Sequence, residues 1–185
     1  MKLINDERIK IFKDYFEYFL FYAFCGWIYE SFWCSIVVHK YGFVNRGFLF
    51  GPYLPIYGFG FLIILLIFNK FKIKKLIPTF IFGTIIATLA ELIGSYIMEF
   101  FTGSFLWDYK DEFLNFEGRI ALKPDLIFGF LICVGIGLIQ PKLVKYQEKY
   151  EDSKLRNILF IIIFILFVID ILLRFIFGSN FTGTP

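Results

Sequence analysis

The chain has 185 residues, 58% of them hydrophobic, with a mean hydropathy of +0.70 and a formal net charge of +3. Both hydrophobicity values lie above ordinary soluble usage, and the length suits one helical membrane domain with no room for a second, soluble one. No run of Lys and Arg resembles a nucleic-acid surface, so nucleic acid is not an expected partner.

Residues 1–14 read as a cytoplasmic amphipathic arm. The apolar run beyond Lys13 is too long for the core of a signal peptide, and no A-x-A-like site follows it, so it reads as a retained first helix. A membrane span needs roughly 20 mainly apolar residues. Five segments qualify or nearly do so: 15–38, 54–68, 77–101, 120–139 and 158–177. Together they make a single transmembrane domain, 15–177, followed by an outer tail, 178–185. The expected fold class is all-α, a polytopic membrane helical bundle. Pro78 fits a first helical turn. Pro141 is expected to stop the fourth span, and Pro124 with Asp125 to start it, which leaves it short. The second span is short as well. Gly51, Pro52 and the residues before them are therefore expected to dip into the bilayer, where irregular backbone needs cover from protein or water.

Orientation follows from the basic residues in the connections. The N-terminal arm and the connections after the second and fourth spans hold thirteen Lys and Arg, and the opposite connections hold five. The N-terminus is expected inside and the C-terminus outside. At a rise of about 1.5 Å per residue, Glu30, Glu91 and Asp170 then fall at one depth, roughly 10–15 Å inside the outer boundary. An ionisable side chain in hydrocarbon costs at least about 2.5–3.5 kcal/mol, so three acids at one level point to a shared polar pocket that opens outward.

Other polar residues converge on the same level. Thr84, Thr88, Glu91 and Ser95 share one face of the third span, beside a small-residue stripe of Gly83, Ala87, Ala90 and Gly94. Gly26, Glu30 and Cys34 share a face of the first span. Asp170 and Arg174 stand four apart, in the order that favours pairing. Arg46, within Asn45-Arg46-Gly47, and Arg119, after Gly118, come from the outer connections and suit bidentate contacts to carboxylate or phosphate. The competing reading is that these charges neutralise one another and only fix helix packing.

Cys25, Cys34 and Cys133 all fall in apolar spans, form neither a disulfide framework nor a zinc pattern, and read as packing residues. The lone His39, at a span end, is not read as a ligand. No metal or cofactor is expected. Residues 45–60 hold four glycines and two prolines, which specify turns rather than a plain helix entry. Gly58-Phe59-Gly60 is not a dinucleotide fingerprint, and no G-x-x-x-x-G-K-[ST] occurs, so the chain is not its own P-loop ATPase. The connection 102–123 reads as an interfacial lid or an aromatic belt. The connection 140–156 reads as a solvated loop or a short surface helix. Asn180-Phe181-Thr182 matches a glycosylation sequon, which matters only in a secretory-pathway host. No internal repeat is visible.

Several blocks resemble a known family. They are Gly26-Trp27-Ile28-Tyr29-Glu30; Asn45-Arg46-Gly47-Phe48-Leu49 with Gly51-Pro52 and Pro55-Ile56-Tyr57-Gly58; Trp107-Asp108-Tyr109; and Gly118-Arg119-Ile120. These resemble the CmpB family of ABC-transporter type IV permeases, from about Phe21 into the fifth span. The resemblance implies a multi-pass protein of the bacterial plasma (inner) membrane, with Glu30, Asn45, Arg46 and Arg119 at its motif positions and a separate ATPase subunit as energy source.

The functional expectation is a permease component, with the lipid bilayer and a small polar or charged solute as partners. Glu30, Glu91 and Asp170 would hold a cation or proton, with Arg46, Arg119 and Asn45 on anionic groups or the entrance, and Thr88, Ser95 and Arg174 in supporting roles. No nucleophile stands beside an evident base, so catalytic residues are not assigned. Two alternatives remain: an intramembrane enzyme acting on a lipid-linked substrate, and a structural or regulatory membrane subunit.

Overall fold

The computed structural model describes residues 2–33, 35–36, 43, 45–47, 49–103 and 107–177, without the side chains at 2–6, 102 and 175. Cys34, His39 and the tail 178–185 with its sequon lie outside the described residues. The helices are α1 Lys2–Trp33, α2 Pro55–Phe71, α3 Leu76–Thr102, α4 Leu122–Val134, α5 Gln140–Lys149 and α6 Lys154–Phe177. A π-helical turn, Gly135–Ile139, joins α4 to α5, so Leu122–Lys149 runs as one continuous helix. There are thus five helical rods and no strand among the described residues, with one isolated bridge between Phe116 and Ile120.

Leu76–Phe101, Leu122–Lys149 and Lys154–Arg174 are each long and apolar enough to cross a membrane, and α2 is a shorter apolar helix. The burial pattern on α3 is that of a lipid-facing helix. Ile81, Ile85, Leu89 and Ile93 are exposed, whereas Glu91 and Ser95 are buried. A soluble amphipathic helix has the reverse arrangement. The chain is an all-helical membrane protein.

Helix ends follow local chemistry. Pro55 opens α2, where its missing N–H would lack a partner in any case. Gly103 closes α3 at φ 75°, and its N–H reaches the Glu99 carbonyl at 2.8 Å. Pro141 does not end the fourth rod as expected. The turn before it widens to an i→i+5 pattern, with the Gln140 N–H on the Gly135 carbonyl, and the helix continues to Lys149. A π turn is a recognised way to absorb such a local clash.

The chain divides into two compact units, residues 1–62 with 145–184, and residues 63–144. The core of the first contains Phe16, Phe19, Leu49 and Phe167. Phe12, Phe16 and Phe19 of α1 meet Phe160, Phe164 and Phe167 of α6 in that order, mostly edge to face, so these two helices run parallel. In the second unit α3 and α4 pack antiparallel. A Cβ on Gly83 would stand 2.9 Å from Ile132, and one on Gly129 would overlap the Thr84 hydroxyl. The small residues let these backbones approach closely. Ile64, Phe68 and Ile132 form the core of this unit.

Candidate functional site

In the first unit the family-like blocks converge on Glu30. Its carboxylate accepts the Tyr57 hydroxyl, and the Arg46 charge acts on it. Gly26, one turn earlier on α1, leaves room for the Tyr57 ring. The loop before α2 is tied to α1 at several points. The Trp27 indole N–H donates to Asn45 Oδ1 at 2.7 Å, and the Gly47 N–H donates to the same oxygen at 2.9 Å. The Arg46 N–H donates to Ser31 Oγ at 3.2 Å, and the Leu54 N–H to the Ala23 carbonyl at 3.0 Å. Asn45 thus positions the loop, while Glu30 and Arg46, both half-buried, are the charged members of the cluster.

Asp170 lies in the same unit and is buried. Its Oδ1 accepts the Phe50 N–H at 2.9 Å and its Oδ2 the Gly51 N–H at 2.7 Å. These are groups that the irregular, proline-rich backbone leaves outside any helix, and a carboxylate accepting two of them makes strong charge-assisted bonds. Arg174 is half-buried in the last turn of α6.

Nearer the N-terminal end of α1, the unit holds a charge network that sequence reasoning missed. Arg156 is only 4% exposed. Its Nε and Nη2 reach the two oxygens of Glu17 at 3.0 and 2.6 Å, Nη2 also reaches Asp14 at 2.5 Å, and Nη1 donates to the Gln147 carbonyl at 3.2 Å. The Gln147 amide donates to Glu17 at 2.9 Å, and Lys13 donates to Asn157 at 2.7 Å. The available signal was the pair of acids three residues apart at the start of an apolar run. Their partner, 139 residues further on, leaves no trace in periodicity.

In the second unit residues 107–121, between α3 and α4, form a compact structure that aims Arg119 at α3. The Tyr109 N–H donates to the Gly118 carbonyl at 2.8 Å, and the Trp107 indole N–H to the Arg119 carbonyl at 2.7 Å. Gly118 has φ 68°, and a Cβ there would stand 2.6 Å from Asp108 Oδ1, so glycine is required twice over. Arg119 is buried against α3. It pairs with Glu99, donates to Ser95 Oγ at 3.3 Å and Glu117 at 3.3 Å, and stacks 4.1 Å from the Tyr96 ring centre.

Glu91 and Asp125 face each other where α3 crosses α4. Both are 8% exposed. Asp125 hydrogen-bonds Thr88 and Glu91, and the Tyr109 hydroxyl donates to Glu91 Oε1 at 3.0 Å. The polar stripe Thr84, Thr88, Glu91 and Ser95 is thereby accounted for within this unit: Thr84 lies against Gly129, Thr88 and Glu91 against Asp125, and Ser95 against Arg119. Asp125 had been read only as a helix start. Of the three acids grouped by depth, Glu30 and Asp170 belong to the first unit and Glu91 to the second. The Cys25 and Cys133 thiols are free.

No curated relative and no solved structure matches the chain. A family model does, and it covers residues 17–175, which include the Glu30, Arg46, Arg119 and Asp170 positions; its description reads "Putative ABC-transporter type IV". With most of its length inside that match and three helices fit to cross a bilayer, the chain belongs to the CmpB family of ABC-transporter-related membrane proteins.

Proposed function

We propose that this protein is a multi-pass component of a bacterial plasma-membrane transport system, with five crossings, the N-terminus inside and the C-terminus outside. The parallel pairing of α1 and α6 supports this count, because parallel ends require an odd number of crossings between them, here α2, α3 and the α4–α5 rod. With 17 residues, α2 rises about 25 Å, short of the roughly 30 Å hydrocarbon core, so the turns before it complete the crossing.

The function is binding of a small polar or charged solute during transport, with a separate ATPase supplying energy. The observation that carries this reading is the Glu30 group: a half-buried acid in the apolar run of α1, held by Tyr57 and facing the charge of Arg46 on a glycine- and proline-rich loop. An intramembrane acid of this kind is costly to keep unless it serves a task. The reading of a structural subunit is favoured at Asp170, whose two oxygens already hold the loop backbone.

The test is purification of tagged chain from native membranes, with mass spectrometry for a co-purifying ATPase and for bound small molecules. The expected result is an ATPase partner and a polar solute that Glu30→Gln and Arg46→Lys variants lose while staying folded. A chain that carries neither partner nor solute, and whose variants only lose stability, transfers the assignment to the structural reading.

A further inference from the structure

The turn between α2 and α3 gathers four lysines into six residues: Lys70, Lys72, Lys74 and Lys75. All four are exposed. The backbone beneath them is tightly closed. Lys72 has φ 54°, its N–H reaches the Asn69 carbonyl at 3.4 Å, and the Ile73 N–H reaches the Phe68 carbonyl at 2.9 Å. These are the two bonds of a Schellman motif, which ends α2 at Phe71. Ile73 packs on the core formed by Ile64, Phe68 and Ile132, and this contact holds the turn in place.

No acid stands near this charge in the sequence of the packed elements. Asp and Glu are absent between Glu30 and Glu91, and again between Asp125 and Glu148. The part of α4 that meets the turn lies in the second of these stretches, with Cys133 Sγ 3.9 Å from the Leu76 carbonyl. Along α3 the first acid is Glu91, about 24 Å beyond Lys75 at 1.5 Å per residue. None of the four lysines forms an ion pair among the described residues. Their depth is set by the side chains on either hand. Phe71, at the end of α2, is 65% exposed, and Leu76 and Ile77, which begin α3, are 71% and 72% exposed. Leu76 also opens a helix long and apolar enough to cross a membrane. In a bilayer these three side chains face acyl chains, so the lysines between them stand at the hydrocarbon edge. A lysine there keeps its stem in the apolar layer and its ammonium among the headgroups.

We infer that the α2–α3 turn is a binding site for anionic phospholipid headgroups, whose phosphate oxygens supply the counter-charge that the neighbouring chain lacks. The closed turn holds four positive charges near one another, and an anion among them relieves their repulsion. Each lysine contributes about a fivefold preference for an anionic surface, and salt weakens it. A soluble acidic partner is the poorer fit, because it would meet these charges only through the headgroup layer. Bound lipid fixes this end of the α2–α3 hairpin at the membrane surface, whichever solute the protein handles.

The test uses the full chain in nanodiscs of equal parts phosphatidylglycerol and phosphatidylcholine, and needs neither solute nor ATPase. A benzophenone side chain is placed at Leu76 or, as the reference, at Ile85, which is exposed further along the same helix. Lipids captured under ultraviolet light are identified by mass spectrometry. The expected ratio of phosphatidylglycerol to phosphatidylcholine is at least about fivefold higher at Leu76 than at Ile85. It should fall severalfold when Lys74→Gln and Lys75→Gln are combined, since both lie outside the Schellman bonds and leave the turn closed. It should stay high when Lys145→Gln and Lys149→Gln are combined, which removes the same net charge elsewhere. Equal ratios at Leu76 and Ile85 overturn the inference, and this comparison needs no lysine variant to fold. So does a high ratio that survives loss of Lys74 and Lys75, or one that vanishes with Lys145 and Lys149. Displacement by inorganic phosphate alone would make the turn a soluble-anion site. Capture of a protein in place of lipid in native membrane vesicles would make it a protein contact. Either result also overturns the inference.

Discussion

The ring of Tyr57 lies in the space that a Cβ on Gly26 would need. The overlap involves ring carbons at the base of the side chain, which cannot swing aside as a flexible tip would. The same tyrosine donates its hydroxyl to Glu30, one turn beyond Gly26 on α1. Glycine at 26 therefore sets the geometry of the charged cluster. Gly26→Ala should cost at least the roughly 1–3 kcal/mol typical of overpacking, and it should break the Tyr57–Glu30 bond. Thermal unfolding in detergent checks the first part, and the absorbance of Tyr57 against a Tyr57→Phe reference checks the second. A variant as stable as the native chain would remove Gly26 from this role.

Asp170 provides an internal control for the difference between holding a loop and binding a ligand. Its two oxygens accept two backbone N–H groups, from Phe50 and Gly51. Asp170→Asn keeps one acceptor oxygen, and Asp170→Ala keeps none. A buried donor left unsatisfied costs about 1–3 kcal/mol, so stability should fall in the order native, Asn, Ala. Amide exchange at Phe50 and Gly51 should accelerate in the same order. Unchanged exchange at both amides in Asp170→Ala would show that the loop does not depend on this carboxylate.

Much of this architecture was legible in the sequence, because the bilayer imposes simple rules on composition. The third span, read as 77–101, is Leu76–Thr102, and its polar stripe does turn inward. The fifth, read as 158–177, starts four residues earlier, at Lys154, because a helix can extend past the hydrocarbon. The fourth was misread at Pro141, since whether a proline stops a helix depends on the preceding turn, and a π turn has no sequence signature of its own. Partnerships were less visible than faces. Asp125 was read as an N-terminal signal, which it also is, and its approach to Glu91 follows from how closely Gly129 lets α4 sit on α3. Arg156 counted only as one positive charge in an inner connection, and nothing in its neighbours announced Asp14 and Glu17.

Lys10 and Glu151 form a solvent-exposed ion pair between α1 and the turn before α6. The hydrogen bond to Lys10 holds the Glu151 carboxyl below its ordinary value of 4.5, and the same bond raises Lys10 above 10.5. The sign follows from linkage. The Glu151 contribution is present above pH 4.5 and lost as pH falls through its lowered value. The Lys10 contribution is present below pH 10.5 and lost as pH rises through its raised value. The pair should therefore act across the whole neutral range, weaken with added salt, and loosen only at the acidic and alkaline extremes. Carboxyl carbon NMR of Glu151 should titrate below the ordinary range in the native chain and return to it in Lys10→Met. An unshifted titration in the native chain would mean that the pair does not persist in solution.

Arg156 has the most demanding environment of any cation described. Its guanidinium forks onto Glu17, reaches Asp14 and satisfies the Gln147 carbonyl, all while nearly shut off from solvent. Lysine keeps the charge but has no planar fork, so it cannot meet Glu17 through two nitrogens while holding a carbonyl on another side. Arg156→Met is expected to be destabilising, by at most about 3–5 kcal/mol, because two half-buried acids lose the guanidinium that pairs with them. Arg156→Lys should recover only part of that loss. The informative measurement is a cycle of thermal unfolding on Arg156→Met, Asp14→Asn with Glu17→Gln, and the triple variant. If the network is held together by complementary charge, the triple variant is more stable than Arg156→Met alone, since neutral amides no longer require a cation. If the triple variant is the least stable of the set, packing of the long side chains outweighs charge, and the network is a steric fixture of α1 against α6.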